Sequence, residues 1–289
     1  MSLDFIHGAN PVTEDVSFLS GGQRLIGKLY VPELAPKRLV VLNPATGVPA
    51  RFYDSFASWL SIARDAVVMT YDYRDFGASA VRHPRYSKAT MVDWGVHDQQ
   101  AARDFATAKY PDLPLWVIGH SLGALCLPFQ KDLDRIERVI TVGTGPVHTS
   151  DHPWPYQALA RAFWFGPAPI ATLLAGFLPG KSLHVGPDLP AGVYWQWRRW
   201  CTRRDFFARD IGTRLPYPDW AGLDAELKVV AVADDDLVPP DAVWRLMQFY
   251  PVARKTQLTL RPADFSLPTL GHIRVFAPES RAAWEAMMA

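Results

Sequence analysis

The sequence has few cysteines, no excess of charge of one sign, and no long apolar run without breaks. Two cysteines, Cys126 and Cys201, are too few for a disulfide framework and are typical of a reducing compartment. The formal net charge of +1 indicates neither a nucleic-acid partner nor an anionic membrane. Because the stretch 1–10 has no cationic start and no apolar run, we expect no signal peptide and a cytoplasmic location.

One stretch without charge, residues 162–180, approaches the length that a membrane-spanning helix needs. It is interrupted at five positions, which are Gly166, Pro167, Pro169, Gly176 and Pro179. Proline and glycine disfavour a continuous helix, so the pattern predicts short apolar helices and no stable membrane span.

The hydrophobic content of 49% is enough for a large buried core. Two alternating segments that flank Gly21 and Gly22 predict a β-hairpin. Six short apolar runs follow, and these are RLVVLN, AVVMTYD, LWVIGH, RVITVG, KVVAVAD and TQLTLR. Helical patterns over 51–63 and 92–109 lie between some of them. Strands that alternate with helices predict an α/β fold, with a mostly parallel sheet flanked by helices.

The alternation stops between residues 146 and 221, which are rich in tryptophan, phenylalanine and proline and contain no clear strand pattern. The strand pattern returns at KVVAVAD. We therefore predict a core formed by residues 1–145 and 222–289, with a helical cap over 146–221 inserted after the sixth strand.

Ser121 lies in the sequence Gly119-His120-Ser121-Leu122-Gly123, directly after an apolar strand and before a helical run. The G-x-S-x-G pattern alone is weak, but this context predicts a tight turn that exposes the serine. The helix that follows would favour negative charge near the serine. These features predict that Ser121 is a nucleophile.

A serine hydroxyl needs a histidine to accept its proton and a carboxylate to orient that histidine. The end of one predicted strand supplies three adjacent carboxylates, Asp234, Asp235 and Asp236, which cannot all point at one imidazole. His272 lies after the last predicted strand, in a loop that leads into a predicted helix.

Taken in order, these motifs resemble the α/β-hydrolase superfamily over nearly the whole chain outside 146–221. DYRDFGAS (72–79) resembles the Asp-x-Arg-Gly-x-Gly-x-Ser turn of that superfamily, with Asp75 in the usual place of glycine. VIGHSLGA, DDLVP and LGH match its nucleophile, acid and base motifs. LNPATG (42–47) stands where many members have His-Gly, and it is similar to the loop of a bacterial subgroup.

This resemblance implies a chain order of nucleophile, acid and base, which assigns the base to His272. In similar enzymes the acid stands three residues before the valine of Val-Pro, which selects Asp235. Asp151 is the alternative acid, because some related enzymes take theirs from the loop after the preceding strand.

An oxyanion hole uses backbone N–H groups rather than particular side chains. We expect one donor to be the N–H of Leu122, directly after the nucleophile. Pro44 has no N–H, so the second donor is expected from Ala45, with Thr46 as the alternative.

The cap contains many aromatic residues, most of which we expect to pack the cap itself. Trp164 and Trp195 are the candidates for contact with substrate in a partly apolar pocket. His148 and His152 are four residues apart, but Pro153 and the turn-like surroundings argue against a metal site. We predict neither a metal nor another cofactor.

These features together predict a serine hydrolase that cleaves a small-molecule carboxylic ester or thioester through an acyl-enzyme. Acyl transfer by the same residues, lipase action at an interface, and an inactive binding or scaffold protein are the alternatives. The sequence leaves open whether the protein forms a homodimer.

Overall fold

The computed structural model describes residues 10–289. The segment 1–9, on which the prediction of no signal peptide largely depends, lies outside the described residues. Ten strands occur in the described part of the chain, and they are β1 (Val12–Ser20), β2 (Gln23–Val31), β3 (Arg38–Asn43), β4 (Ala66–Tyr71), β5 (Leu115–His120), β6 (Ile136–Val142), β7 (Phe177–Leu178), β8 (Leu189–Pro190), β9 (Glu226–Val232) and β10 (Arg254–Leu260).

Within residues 10–289, eight of these strands form one sheet in the order β1-β2-β4-β3-β5-β6-β9-β10. The strands from β4 to β10 in this order pair in parallel, whereas β1 and β2 form an antiparallel hairpin at one edge. Gly21 and Gly22 turn this hairpin with φ values of 55° and 83°. The predicted hairpin and the predicted, mostly parallel sheet are therefore confirmed.

Eight α-helices lie in the described region, and they are α1 (Asp54–Ala63), α2 (Gln99–Lys109), α3 (Leu122–Leu125), α4 (Tyr156–Phe165), α5 (Pro167–Ala175), α6 (Ala191–Cys201), α7 (Pro240–Trp244) and α8 (Arg281–Met288). Helices cover both faces of the sheet, so β4 and β5 are buried along their whole length. Alternate residues of β3 enter different cores: Val40 packs in the core with Phe56 and Trp284, and Val41 in the core with Ala102. This two-sided burial explains the continuous apolar runs of the central strands.

The predicted insertion follows β6, the sixth strand of the chain. It contains α4, α5, α6 and a short antiparallel pair, β7 and β8, which the sequence pattern did not predict. In the described part of the chain, Tyr156–Ala175 is the one stretch that is long and apolar enough to cross a bilayer. Its backbone is divided, because α4 ends at Phe165 and α5 begins at Pro167, as the glycine and proline pattern predicts.

The turn after β4 is anchored by a buried ion pair. Asp75 adopts a left-handed conformation with φ of 56°, at the position where the resemblance expects glycine. Next to it, the Arg74 guanidinium donates to Asp98 Oδ1 at 2.6 Å and to Asp93 Oδ1 at 3.1 Å. Burial raises the pKa of Asp98, and the bonds from Arg74 oppose that rise. The turn is therefore held against the segment that leads into α2.

Replacing Arg74 with methionine tests this anchor. The Arg74→Met variant leaves Asp98, whose side chain is 0% exposed, without its cation. We expect the free energy of unfolding to fall by about 3–5 kcal/mol in chemical denaturation. Arg254→Met is the control, because its ion pair with Asp224 is exposed and should contribute less than about 1 kcal/mol. An equal effect in the two variants would contradict the assignment.

Candidate active site

Ser121 lies at the sharp turn between β5 and α3, with φ of 54° and ψ of −109°. Side-chain-bearing residues rarely adopt such a conformation. Both glycines of the motif are needed for close packing. A Cβ atom on Gly119 would lie 2.4 Å from the Ala124 Cβ, and one on Gly123 would lie 2.2 Å from the Asn43 carbonyl oxygen. The turn can therefore form only with glycine on both sides of the serine.

Asn43 ends β3 and links the loop that follows to the nucleophile turn. Its Nδ2 donates to the Gly123 carbonyl at 2.8 Å, and its Oδ1 accepts from the Tyr71 hydroxyl at 2.8 Å. Asn43 and Tyr71 are both buried. The asparagine in the usual place of histidine is therefore a structural link, and both ends of its amide are used.

His272 and Asp235 form a buried hydrogen-bonded pair. His272 Nδ1 lies 2.7 Å from Asp235 Oδ2. The other carboxylate oxygen, Oδ1, accepts from the backbone N–H groups of Leu237 at 2.8 Å and Val238 at 2.9 Å. A carboxylate accepts, so Nδ1 donates, and in a neutral ring Nε2 is left as the acceptor. Gly143 makes room for the pair, since a Cβ there would lie 3.0 Å from Nδ1.

The two neighbouring aspartates have other partners. Asp234 accepts from the Thr269 hydroxyl at 2.7 Å and from the N–H groups of Leu270 and Gly271 at 3.0 Å, which holds the loop before His272. Burial alone would raise the pKa of Asp234, but these bonds outweigh it and the pKa lies below its usual value. The Asp236 carbonyl lies 2.9 Å from His152 Nδ1.

Asp151, the alternative acid, pairs with Arg245 and accepts from the His148 N–H at 2.8 Å. It is therefore engaged away from His272. His148 Nδ1 lies 2.8 Å from the Ser150 hydroxyl, and His152 Nδ1 lies 2.9 Å from the Asp236 carbonyl oxygen, so each of these two nitrogens has a partner within the protein. Within residues 10–289 no cluster of three metal-binding side chains occurs.

In the loop after β3, the amide that was expected to be the second oxyanion donor has a partner within the protein. The Ala45 N–H donates to the Tyr53 hydroxyl at 3.0 Å, and Ala45 is only 1% exposed. Thr46 and Leu122 both line the cavity at Ser121. The amide of Ala45 is therefore already used within the protein, and the neighbouring Thr46 is the loop residue that reaches the cavity.

A chain of buried hydrogen bonds connects this loop to the loop of His272. The Tyr53 hydroxyl lies 2.7 Å from His120 Nδ1, and His120 Nε2 lies 2.9 Å from the His272 carbonyl. A carbonyl only accepts, so Nε2 carries the proton and Nδ1 accepts from Tyr53. Burial holds the pKa of His120 well below its usual value, and the nearby His272 adds to this effect. Tyr53 and His120 are site residues that the sequence analysis did not assign.

A cavity of about 560 Å³ lies over Ser121 and His272, between the sheet and the insertion. Its wall is mainly apolar, and Trp164, Trp197 and Trp200 supply much of its aromatic surface. In the described chain, no aspartate, glutamate, lysine or arginine lines it. Among its few polar groups is Tyr156, whose pKa burial raises to about 12. The cavity therefore suits an uncharged, largely apolar molecule.

Of the two tryptophans expected to contact substrate, Trp164 lines the cavity and Trp195 does not. Trp195 packs against Tyr194, with ring centroids 5.1 Å apart. The cavity side of α6 presents Trp197, together with Trp200 and Cys201, which follow it by three and four residues. Residues two apart on a helix point to different sides, so Trp195 cannot share that side with Trp197.

Comparison with known families gives a match over residues 35–179, half of the chain, to the Hydrolase_4 family, which is described as serine aminopeptidase, S33. No curated protein matches the sequence.

Three solved structures have similar folds at low sequence identity. An esterase from Pyrococcus furiosus has a TM-score of 0.60 and 13% identity, with 96% of this chain and 89% of that chain covered. A carboxyl esterase from Bacillus coagulans has a TM-score of 0.58 and 15% identity, with 86% of this chain and 89% of that chain covered. An enol-lactonase from Burkholderia xenovorans has a TM-score of 0.57 and 17% identity, with 94% of this chain and 98% of that chain covered. At these identities the likeness shows the fold, which confirms the expected α/β-hydrolase architecture.

The link between the two loops can be tested with Tyr53→Phe. This change removes one hydroxyl and leaves the Ala45 N–H and His120 Nδ1 buried without partners. We expect the free energy of unfolding to fall by about 1–3 kcal/mol. Because the loop of Thr46 loses its anchor, the rate of reaction of Ser121 with a fluorophosphonate should fall roughly tenfold, an effect of about 1.4 kcal/mol.

Tyr30→Phe is the matched control for that variant. Tyr30 is also buried, and its hydroxyl donates to Asp54 at 2.6 Å, but this bond contacts neither loop. The labelling rate of Ser121 should stay at the wild-type value in Tyr30→Phe. A wild-type labelling rate in Tyr53→Phe would show that the hydrogen-bond chain does not position the loop.

Proposed function

Because this chain belongs to the Hydrolase_4 family of α/β-hydrolases, described as serine aminopeptidase, S33, we propose that it is a serine hydrolase that cleaves carboxylic esters. The observation that carries the proposal is the buried pair of His272 and Asp235 beside the cavity that Ser121 also lines. This arrangement supports a triad of Ser121, His272 and Asp235. The esterases among the similar structures agree with this proposal.

In the proposed reaction, Ser121 Oγ attacks the ester carbonyl while His272 Nε2 accepts the hydroxyl proton. The imidazolium keeps its Nδ1–H on Asp235, and the carboxylate stabilises the positive charge. The same proton then passes to the leaving alcohol, which leaves an acyl group on Ser121. Water then attacks this acyl-enzyme while His272 accepts its proton; the bond between the acyl carbon and Ser121 Oγ breaks, that proton passes to Oγ, and the acid is released.

We further propose that the backbone N–H groups of Leu122 and Thr46 stabilise the oxyanion. Leu122 is the first residue of α3, so its N–H has no partner within the helix. Ala45, the first expectation for the second donor, is replaced in this role by Thr46, because the Ala45 N–H is bonded to Tyr53. The Ala45–Tyr53 bond instead fixes the loop that carries Thr46.

The cavity supports an ester with an apolar acyl group rather than a peptide with a free amino terminus. An α-amino group is a cation near neutral pH, and an aminopeptidase site would need a carboxylate to bind it. None of the described residues that line this cavity is acidic. The proposed substrate is therefore uncharged at its acyl end, and an oxygen ester or a thioester would fit equally. Acyl transfer to an added alcohol would use the same acyl-enzyme.

The triad is tested with a fluorophosphonate probe and a soluble p-nitrophenyl ester. Ser121→Ala should abolish labelling, and His272→Ala or Asp235→Asn should lower kcat by about 10⁴-fold or more. Ser150→Ala is the matched control, because the Ser150 hydroxyl lies 2.8 Å from the Nδ1 of a histidine, His148, that is outside the proposed triad. Labelling that persists in folded Ser121→Ala would place the reactive group elsewhere.

The substrate class is tested by comparing p-nitrophenyl esters of increasing acyl length with amino-acid p-nitroanilides. We expect kcat/KM to rise from acetyl to medium-length acyl chains, because each buried methylene contributes about 0.8 kcal/mol of binding. The p-nitroanilides of unblocked amino acids should be cleaved at least about a hundredfold more slowly. Faster cleavage of the amino-acid substrates than of every ester would overturn the assignment.

A further inference from the structure

The insertion exposes an apolar surface formed by α4 and α5. We call this surface the cap face, and its members are Leu159, Phe165, Ile170, Leu173 and Leu174. Each is between 57% and 79% exposed. The opposite side of the same two helices is also apolar, since Ala160, Trp164 and Ala168 are buried. Helices on a protein surface normally present polar side chains to water, so an apolar outer face indicates a binding surface.

The sequence segment that contains the cap face carries charges of one sign, and the first carboxylate beyond it, Asp188, accepts a hydrogen bond from the Lys181 backbone N–H at 3.1 Å. From residue 152 to residue 187 the sequence contains no aspartate or glutamate, whereas Arg161 and Lys181 are exposed cations. The Arg198 guanidinium adds a third cation, 5.1 Å from the centroid of the Phe165 ring. The net charge of +1 for the whole chain hides this local segregation. An apolar surface bordered by cations is complementary to an anionic lipid surface.

The cap face is continuous with the mouth of the active-site cavity. Leu159 belongs to the cap face and also lines the cavity, and Val185, which is 50% exposed, lines the cavity as well. A molecule that leaves a lipid layer through the cap face would therefore reach the cavity without crossing water. Trp154 lies just before α4 and is 78% exposed, which suits the polar boundary of a bilayer.

We propose that the cap face docks on an anionic lipid surface and that the helices lie along it rather than cross it. A helix of ten residues such as α4 is about 15 Å long, about half the thickness of the hydrocarbon layer. Docking would place the cavity mouth against the lipid. Only the further step, that the cavity takes its acyl ester from this surface, rests on the proposed function.

Docking is tested by co-sedimentation of the full chain with vesicles. Ser121→Ala serves as the parent protein, so that turnover of lipid cannot alter the vesicles. We expect binding to vesicles of phosphatidylcholine with phosphatidylglycerol, and weaker binding to phosphatidylcholine alone. Leu173→Ser with Leu174→Ser should weaken binding to the anionic vesicles about tenfold or more. At about 1 M salt, where the screening length is about 3 Å, the preference for anionic vesicles should disappear.

The matched control replaces two leucines of similar exposure outside the insertion. Leu19 and Leu34 are each 69% exposed, so Leu19→Ser with Leu34→Ser should leave vesicle binding unchanged. Neither Leu173 nor Leu174 lines the cavity. In a protein that retains Ser121, Leu173→Ser with Leu174→Ser should therefore keep wild-type hydrolysis of a soluble ester, which also shows that the variant folds.

Three outcomes would overturn docking. The protein does not sediment with anionic vesicles, the two double variants lose vesicle binding equally, or a second copy of the chain covers the cap face. Analytical ultracentrifugation recognises the last outcome. The parent protein would sediment as a dimer, the variant Leu173→Ser with Leu174→Ser would sediment as a monomer, and neither would bind vesicles. Failure of the proposed function gives a different result, because vesicle binding by Ser121→Ala would persist while the wild-type protein hydrolysed no ester.

Discussion

The proposed chemistry depends on the close approach of the nucleophile turn to the end of β3. Gly123 lies so near the Asn43 carbonyl that no side chain fits between them, and the Asn43 amide bonds the same turn from the other side. This contact fixes the strained backbone of Ser121. It also brings the loop of Thr46 beside the first turn of α3. Thr46 and Leu122, from distant parts of the sequence, thus line one cavity.

The remaining parts of the site are tied to this contact through buried hydrogen bonds rather than through flexible surface side chains. Tyr53 and His120 join the loop after β3 to the backbone of His272. Asp234 holds the loop before His272, and Asp235 orients its ring. Because these groups are buried, loss of one partner leaves another polar atom without water. The network therefore resists the loss of any one bond, which suits the proposed role of holding backbone amides ready for a developing charge.

The sequence predicted the parts of the structure that depend on local pattern. Each of the six apolar runs forms a strand. The position of Val-Pro selected Asp235, which is the aspartate that the structure shows hydrogen-bonded to His272. Other features depend on contacts between distant residues. The choice between the amides of Ala45 and Thr46 depends on the hydroxyl of Tyr53, the residue directly before α1. No sequence motif identifies this tyrosine. Trp195 was predicted to contact substrate but does not line the cavity, because residue type alone does not show which side of α6 faces the cavity.

The position of the insertion has an evolutionary consequence. It leaves the sheet after β6 and returns at β9, and these strands are hydrogen-bonded neighbours, with Arg138 opposite Glu226. Ser121, Asp235 and His272 all lie outside it. Substitutions in the segment between these strands could therefore change what enters the cavity without changing strand register or the proposed triad. Selection on the part of the cavity wall that the insertion supplies would therefore act on a different stretch of the gene from selection on the proposed triad.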